Sequence, residues 1–432
     1  MTDDKNHAKK LLKSNRINNY TIPSHNLYPH QWSWDSPWIM YGYTALEEFE
    51  NAENEIFSLF NYQWNNGLVP SIIFHNINDN TYFPGPDIWE LKDTANHLTT
   101  KFNCTGIVQP PVHASACLKL YKKSKNLNFL KKIYPKLLKW HKYLYRERDI
   151  QDEGLVYIRH PWESGMDNSP NWDDSLNRIE INEFKYSKLR TDNKKVNSDE
   201  RPTNITYERY LYLIQLFKEC RFDEKLIFQK SEYIIQDVLF NTLLLKSNYA
   251  LLEIAGILHY NNDINLIKYW INKTKISFEN KFFNNDFYYN YDLKKDLLIK
   301  NKTISGLCSI IICEKTDILV NILKSNFLDL ENNNYSISSL DRYHKMFNPI
   351  NYWRGPMWTN LTWLIISGLY KINENELADK ISSNCIDKIK KIGYYEYFDA
   401  NDTENNLTAG CGDNSFSWTA AIFICLITNM KM

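Results

Sequence analysis

An excess of charge of one sign, paired cysteines and long apolar runs are all missing from this sequence, and each absence excludes a class of protein. Its 432 residues carry 51 basic and 51 acidic side chains, for a formal net charge of zero. A nucleic-acid binder needs a basic footprint, so a polyanionic partner is not expected. The eight cysteines, at 104, 117, 220, 308, 313, 385, 411 and 425, form no CxxC pair and no disulfide framework. Several sit inside apolar helical patterns such as "HASACLKLY" and "AAIFICLI", which reads as reduced, buried thiols in a cytoplasmic protein. The first twenty residues, "MTDDKNHAKKLLKSNRINNY", have no apolar secretory segment and read as a polar N-terminal tail. No later run has the apolar length of a membrane span. Residues 21–432 are long enough for one large toroidal or barrel-like catalytic domain.

Aromatic residues, by contrast, make up 15% of the chain, while glycine and proline number only 13 and 14. AT-rich codons would account for the abundant Asn, Lys and Ile, but not for thirteen tryptophans. These cluster as Trp32, Trp34 and Trp38, as Trp162 and Trp172, and as Trp353, Trp358 and Trp363. Apolar residues at i, i+3, i+4 and i+7 predict helices near 41–61, 111–123, 127–146, 204–220, 226–245, 248–259, 263–272, 355–371, 375–391 and 416–428. Strand-like stretches are short and lie next to loops, as in "GLVPSIIF" and "GLVYIRH". The class is therefore all-α.

Loops rich in Trp, Tyr, Pro or Gln precede some of these helices: "YPHQWSWDSPW", "GIVQPP", "RPTN", "NYWRGP" and "GCGDNS". The helices between them lack such lead-ins. That alternation suits two concentric rings, with inner helices starting at one mouth and outer helices running back. The special loops would then converge on one concave face.

Two stretches carry chemistry. "HPWESGMDNSPNWDD" crowds Glu163, Asp167, Asp173 and Asp174 against Trp162 and Trp172 in a segment too rich in Pro, Gly, Asn and Ser for helix or strand. A carboxyl desolvated by indole holds its proton toward neutrality, as a general acid for a glycosidic oxygen must. The alternative is an acidic surface loop with turns at Asn168 and Ser169. Near the C-terminus Glu396 stands among Tyr394, Tyr395, Tyr397 and Phe398, either as a second buried carboxylate or as the outward-pointing residue of an edge strand. Arg201 and Arg354 could each fork a carboxylate, with a structural salt bridge as the other reading of Arg354. Trp358, Trp363, His113 and His141 read as core.

"WESGMDNSPNWD", "YWRGPMWTNLTWLIISGL", "YEYFDA…FSWTAA" and the lead-in "YPHQWSWDS" together resemble the signature segments of glycoside hydrolase family 63. Within that family the chain is similar to the short cytosolic mannosylglycerate and glucosylglycerate hydrolases, from about Tyr28 to Trp418. The resemblance implies an (α/α)6 barrel, anomeric inversion, and no metal or cofactor. It places the general acid at Asp167 and the general base at Glu396. It also implies substrate contacts at Tyr28, Trp32, Ser33, Trp34, Asp35, Tyr82, Gln109, Gly165, Arg201, Tyr352 and Trp353. One departure lies after "YFD", where family members often have Pro and Thr-Gly and this chain has Ala400, Asn401 and a longer polar loop.

Three functions compete on these grounds. One is an inverting hydrolase acting on a small glycosylated acid, or else on other small α-glucosides. Another is a silent sugar-binding homologue, which would not keep both acids. The third is a sugar isomerase or epimerase, which needs paired histidines at inner-helix starts that only "YPHQW" begins to supply.

Overall fold

The computed structural model describes residues 2–79, 81–402, 407–408 and 410–432. Residues 403–406 and 409, in the polar loop that departs from the family pattern, lie outside the described residues.

Among the described residues, six helices form a closed inner ring. Asp35–Ala45 packs on His113–Ser124, which packs on Val238–Ile257. The circuit continues through Ile304–Cys308 with its 3-10 extension Ser309–Ile311, then Thr359–Lys371 and Ser417–Ile427, and returns to the first helix. Nearly every residue of Asp35–Ala45, Ile304–Cys308 and Ser417–Ile427 is buried, as helices enclosed on all sides must be. The outer helices are amphipathic. In Leu127–Glu147 the residues Phe129, Leu130, Ile133, Leu137, Trp140 and Leu144 face inward, while Lys131, Lys132, Lys139 and Lys142 stay in water. Phe49–Phe60, Asn261–Phe282 and Asn375–Ile392 back their inner partners in the same way. The result is the (α/α)6 barrel.

The last inner helix is backed by the chain's own beginning. Thr2–Ser14, expected as a polar tail, is a helix that docks Ala8, Leu11 and Leu12 against Ser417–Ile427. Three modest apolar side chains among lysines are too few to register as a stripe, but they suffice where a ready-made groove receives them.

Other differences have local causes. The expected helix over 41–61 is two helices, parted at Glu47 in a left-handed conformation with φ of 61°. The expected helices at 226–245 and 248–259 are divided elsewhere. Glu224–Lys230 ends early, and Asp237 accepts the Phe240 amide at 2.9 Å to start one continuous helix, Val238–Ile257. The helix introduced by "RPTN", Asn204–Glu219, does not belong to the inner ring. It lies at the mouth, where its Tyr210 hydroxyl donates to the Asp167 carbonyl. A four-stranded antiparallel sheet, in the order Leu297–Ile299, Asn290–Asp292, Ile235–Gln236, Tyr157–Ile158, stands beside the acidic loop. Gln31–Trp32 pairs with Ile72–Ile73 at the start of the first inner helix. No helix among the described residues is long and apolar enough to cross a membrane.

Candidate active site

The inner helices begin at one end of the ring, and the loops leading into them enclose a cavity of about 940 Å³, the space at its mouth included. Tyr28, Trp32, Trp34, Asp35, Tyr82, Gln109, Gly165, Asp167, Arg201, Tyr352, Trp353 and Glu396 all line it. Ser33 does not. Its side chain turns away and meets His113 Nε2 at 3.1 Å, because its amide is tied back to the Ser71 carbonyl at 2.8 Å.

Of the four carboxyls in the acidic loop, one reaches the cavity. Glu163 is fully buried and forked by Arg148 at 2.8 Å on both oxygens, and it accepts the amides of Val108 at 3.1 Å and Arg159 at 2.8 Å. Burial pushes its pKa up, but Arg148, with Arg159 behind it, outweighs burial and holds the group below the ordinary carboxylate value. Asp173 forks Arg354 at 2.6 and 2.9 Å, so Arg354 is a structural salt bridge and no ligand fork. Asp174 is exposed. That leaves Asp167, whose backbone is held on one side by Tyr210 and on the other by the Trp172 indole, which donates to the Met166 carbonyl at 2.6 Å. Burial raises its pKa to about 6, with Arg201 opposing and Asp192 assisting.

Gly165 makes room for the loop to turn. It has φ of 72°, and a Cβ there would stand 2.8 Å from the Trp34 ring, so this glycine is the seat of an indole that walls the cavity.

Glu396 is 1% exposed and does not point outward. Its amide donates to the Asp413 carbonyl at 2.8 Å, and the Trp418 indole donates to its carbonyl at 3.2 Å, which fixes the backbone. Tyr28 donates to Oε1 at 2.9 Å, Tyr352 to the same oxygen at 3.3 Å, and the Asp413 amide approaches Oε2 at 3.4 Å. Burial raises this carboxyl to about 7, against the pull of Arg201 and the Tyr28 bond. Gly412 is the second required glycine: at φ of 70°, its Cβ would lie 2.3 Å from Glu396 Oε2.

Arg201 joins the two halves. Its Nη1 donates to Tyr28 Oη at 3.0 Å, its Nε donates to Asp192 at 3.1 Å, and its guanidinium lies 4.5 Å from the Tyr352 ring centre. Nη2 makes no protein hydrogen bond among the described residues. The walls are aromatic. Trp353 stacks on Trp358 at 3.7 Å, and Trp32 stands edge-on to Tyr28 and Tyr82. Asp35 is buried, its Oδ1 has no hydrogen-bond partner among the described residues, and burial holds its carboxyl well above the ordinary value. Gln109 spends its oxygen on the Trp34 amide at 3.1 Å, leaving its NH2 for the cavity.

Trp363 is core, packed against Trp38 and Tyr41, whereas Trp358 also backs the cavity wall. His113 and His141 are buried and bonded to Ser33 and Asn248. Asp192, Trp162, Tyr207, Phe416 and Trp418 also line the cavity and were not singled out as contacts from sequence. Phe416 and Trp418 flank an inner-helix start and were findable by that rule. Asp192 sits in "KLRTDNKKVNSDERP", whose composition gives no sign of it.

Two carboxyls held near neutrality in an aromatic-walled pocket, at the mouth of an α/α barrel, define an acid–base glycosidase. Residues 28–419 match the mannosylglycerate hydrolase MGH1-like glycoside hydrolase domain, and the chain belongs to that family. It is 37% identical to a mannosylglycerate hydrolase of Rubrobacter radiotolerans across 97% of this chain and 96% of the relative. A glucosylglycerate hydrolase of Mycolicibacterium hassiacum is 28% identical, with 96% and 95% covered. The crystal structure of the GH63 mannosylglycerate hydrolase from Thermus thermophilus, in complex with Tris and D-glycerate, superposes with a TM-score of 0.88 at 33% identity, covering 98% of this chain and 99% of that one.

Proposed function

We propose that this glycosidase hydrolyses a 2-O-α-glycosylglycerate, α-mannosyl or α-glucosyl, with inversion, in the cytoplasm and as a single catalytic domain. Asp167 gives its proton to the glycosidic oxygen as the C1–O bond breaks. Glu396 takes a proton from the water that attacks C1 on the opposite face. Glycerate leaves protonated at its 2-oxygen, and the sugar leaves with the inverted anomer. Both carboxyls then exchange protons with solvent before the next turnover. Trp34 and Trp353 support the ring, and Asp35 and Gln109 take its hydroxyls.

The observation that carries this reading is Arg201, fixed by Asp192 and Tyr28 in the wall of the same cavity with one NH2 edge uncommitted. A sugar alone has no use for that charge, while a glycerate carboxylate meets it. The names of the relatives put mannose first and keep glucose open. Losing one partner of a desolvated charge pair costs about 2–5 kcal/mol, so Arg201→Ala should weaken glycosylglycerate hydrolysis severely, and well beyond the loss on a neutral aryl α-glycoside, which feels only the disturbed Tyr28 and the raised catalytic carboxyls. Equal losses on both substrates would withdraw glycerate as the aglycone.

A further inference from the structure

Asp192 is the one carboxyl of the cavity wall tied to two guanidiniums. Arg190 reaches its Oδ1 at 3.0 Å and its Oδ2 at 2.8 Å, and Arg201 Nε reaches Oδ2 at 3.1 Å. Arg190 is spent entirely on its surroundings. Its remaining nitrogen donates to the Pro202 carbonyl at 2.8 Å and to Asn204 at 3.0 Å, and its guanidinium lies 4.4 Å from the Tyr207 ring centre. Arg201, by contrast, keeps a free edge. Nearby Lys195 is turned to the carbonyls of Asn26 and Thr81. Burial raises the Asp35 carboxyl above its ordinary value.

At Asp192 itself two guanidiniums meet one carboxylate, so the free edge of Arg201 presents a charge that Asp192 does not fully cancel; Lys195 adds positive charge to the surroundings, and Asp167 adds negative charge when ionised. Glu396, when ionised, draws on the same guanidinium. A ligand carrying one carboxylate is matched. One carrying two would leave a desolvated charge without a counterion, which proteins avoid.

From this we infer that Asp192 sets the charge selectivity of the aglycone pocket: by cancelling one of two arginines it admits a single carboxylate and rejects a second. The inference rests on the glycerate reading of Arg201. It assigns Asp192 a role in specificity, beyond holding the segment in place.

The test uses competition. D-glycerate and tartronate, which is glycerate with its CH2OH replaced by a second carboxylate, are compared as inhibitors of hydrolysis of a neutral aryl α-glycoside. The native enzyme should prefer glycerate. Asp192→Asn should move the inhibition ratio toward tartronate by about tenfold, equivalent to ~1.4 kcal/mol, and Asp192→Glu should restore it. Arg190→Gln should move selectivity the other way: the preference for glycosylglycerate over the corresponding glycosylglycerol should shrink by about tenfold. Opposite shifts in two variants do not arise from damaged folding, and Arg190→Gln decides the matter if Asp192→Asn is unstable. Unchanged ratios, with glycerate still competing, overturn the role of Asp192 alone. Failure of glycerate to compete with the native enzyme overturns the glycerate reading and this inference with it.

Discussion

Glu396→Gln should stabilise the protein at alkaline pH while abolishing its activity. The Glu396 carboxyl titrates near 7 in the folded chain, raised from 4.5 chiefly by burial. A raised carboxyl pKa means that the fold favours the protonated form. That contribution is fully present below about 4.5 and is lost as pH rises through 7, above which the buried carboxylate works against folding. At pH 8 the shift corresponds to roughly 3 kcal/mol. Glutamine removes the charge and keeps an acceptor for Tyr28, but it sets an NH2 against the Asp413 amide, which takes back about 1 kcal/mol. The net gain of about 2 kcal/mol should raise Tm by about 2 °C in a chain of this length. Scanning calorimetry of both proteins at pH 8 and pH 4.5 measures it, and at the lower pH, where only the glutamine penalty remains, the variant should melt about 1 °C below the native protein. No gain at pH 8, or the same gain at both, would refute the placement of a strained carboxylate in this cavity.

Asp167→Asn should keep sugar binding and lower turnover of the glycosylglycerate by about a hundred- to ten-thousand-fold, with much smaller losses on an aryl glycoside whose leaving group needs no proton; equal losses on both would move the acid elsewhere. Gly412→Ala should cut kcat by about tenfold or more, because the new methyl would stand 2.3 Å from Glu396 Oε2 in a left-handed turn; native kcat in a folded variant would show that Glu396 has slack. The profile of kcat/KM against pH should be a bell with limbs near 6 and 7, since activity needs one proton on the pair and both carboxyls are raised; a flat profile between pH 5 and 8 would contradict both shifts.

Much of the barrel was legible because helical periodicity is a local signal, and so was the gathering of Asp167, Glu396 and most of the aromatic residues at one mouth. What escaped detection depends on partners far apart in sequence. The Thr2–Ser14 helix has too little apolar surface to declare itself, and its docking site lies at the other end of the chain. The inner helices at Val238 and Ile304 have no tryptophan-bearing lead-in, so the rule that marked the other starts passes over them. Ser33 shares a motif with Trp32 and Trp34, yet its side chain faces the other way, toward His113. Asp192 looks like one more charge in a polar linker until Arg190 and Arg201 close on it. Conversely, Glu163 is the most conspicuous acid in its motif, and two arginines make it inert.

The order of the two raised carboxyls bears on how the reaction begins. With the cavity empty, burial raises Asp167 to about 6 and Glu396 to about 7, so the two carboxyls compete for protons near neutrality and binding can decide which of them holds one. Substrate changes the balance. Arg201 pulls both carboxyls down, and a glycerate carboxylate bound to its free edge would neutralise that pull. The added negative charge belongs to the leaving group, which Asp167 must touch, whereas Glu396 works from the opposite face of the sugar. Asp167 should therefore rise further than Glu396, and binding itself would move the proton toward the acid. The alkaline limb of kcat, which reports the bound enzyme, should lie above that of kcat/KM for glycosylglycerate. For the corresponding glycosylglycerol, which needs the same proton but brings no carboxylate, the two limbs should coincide. Coincident limbs on the charged substrate would mean that the aglycone carboxylate does not reach the acid.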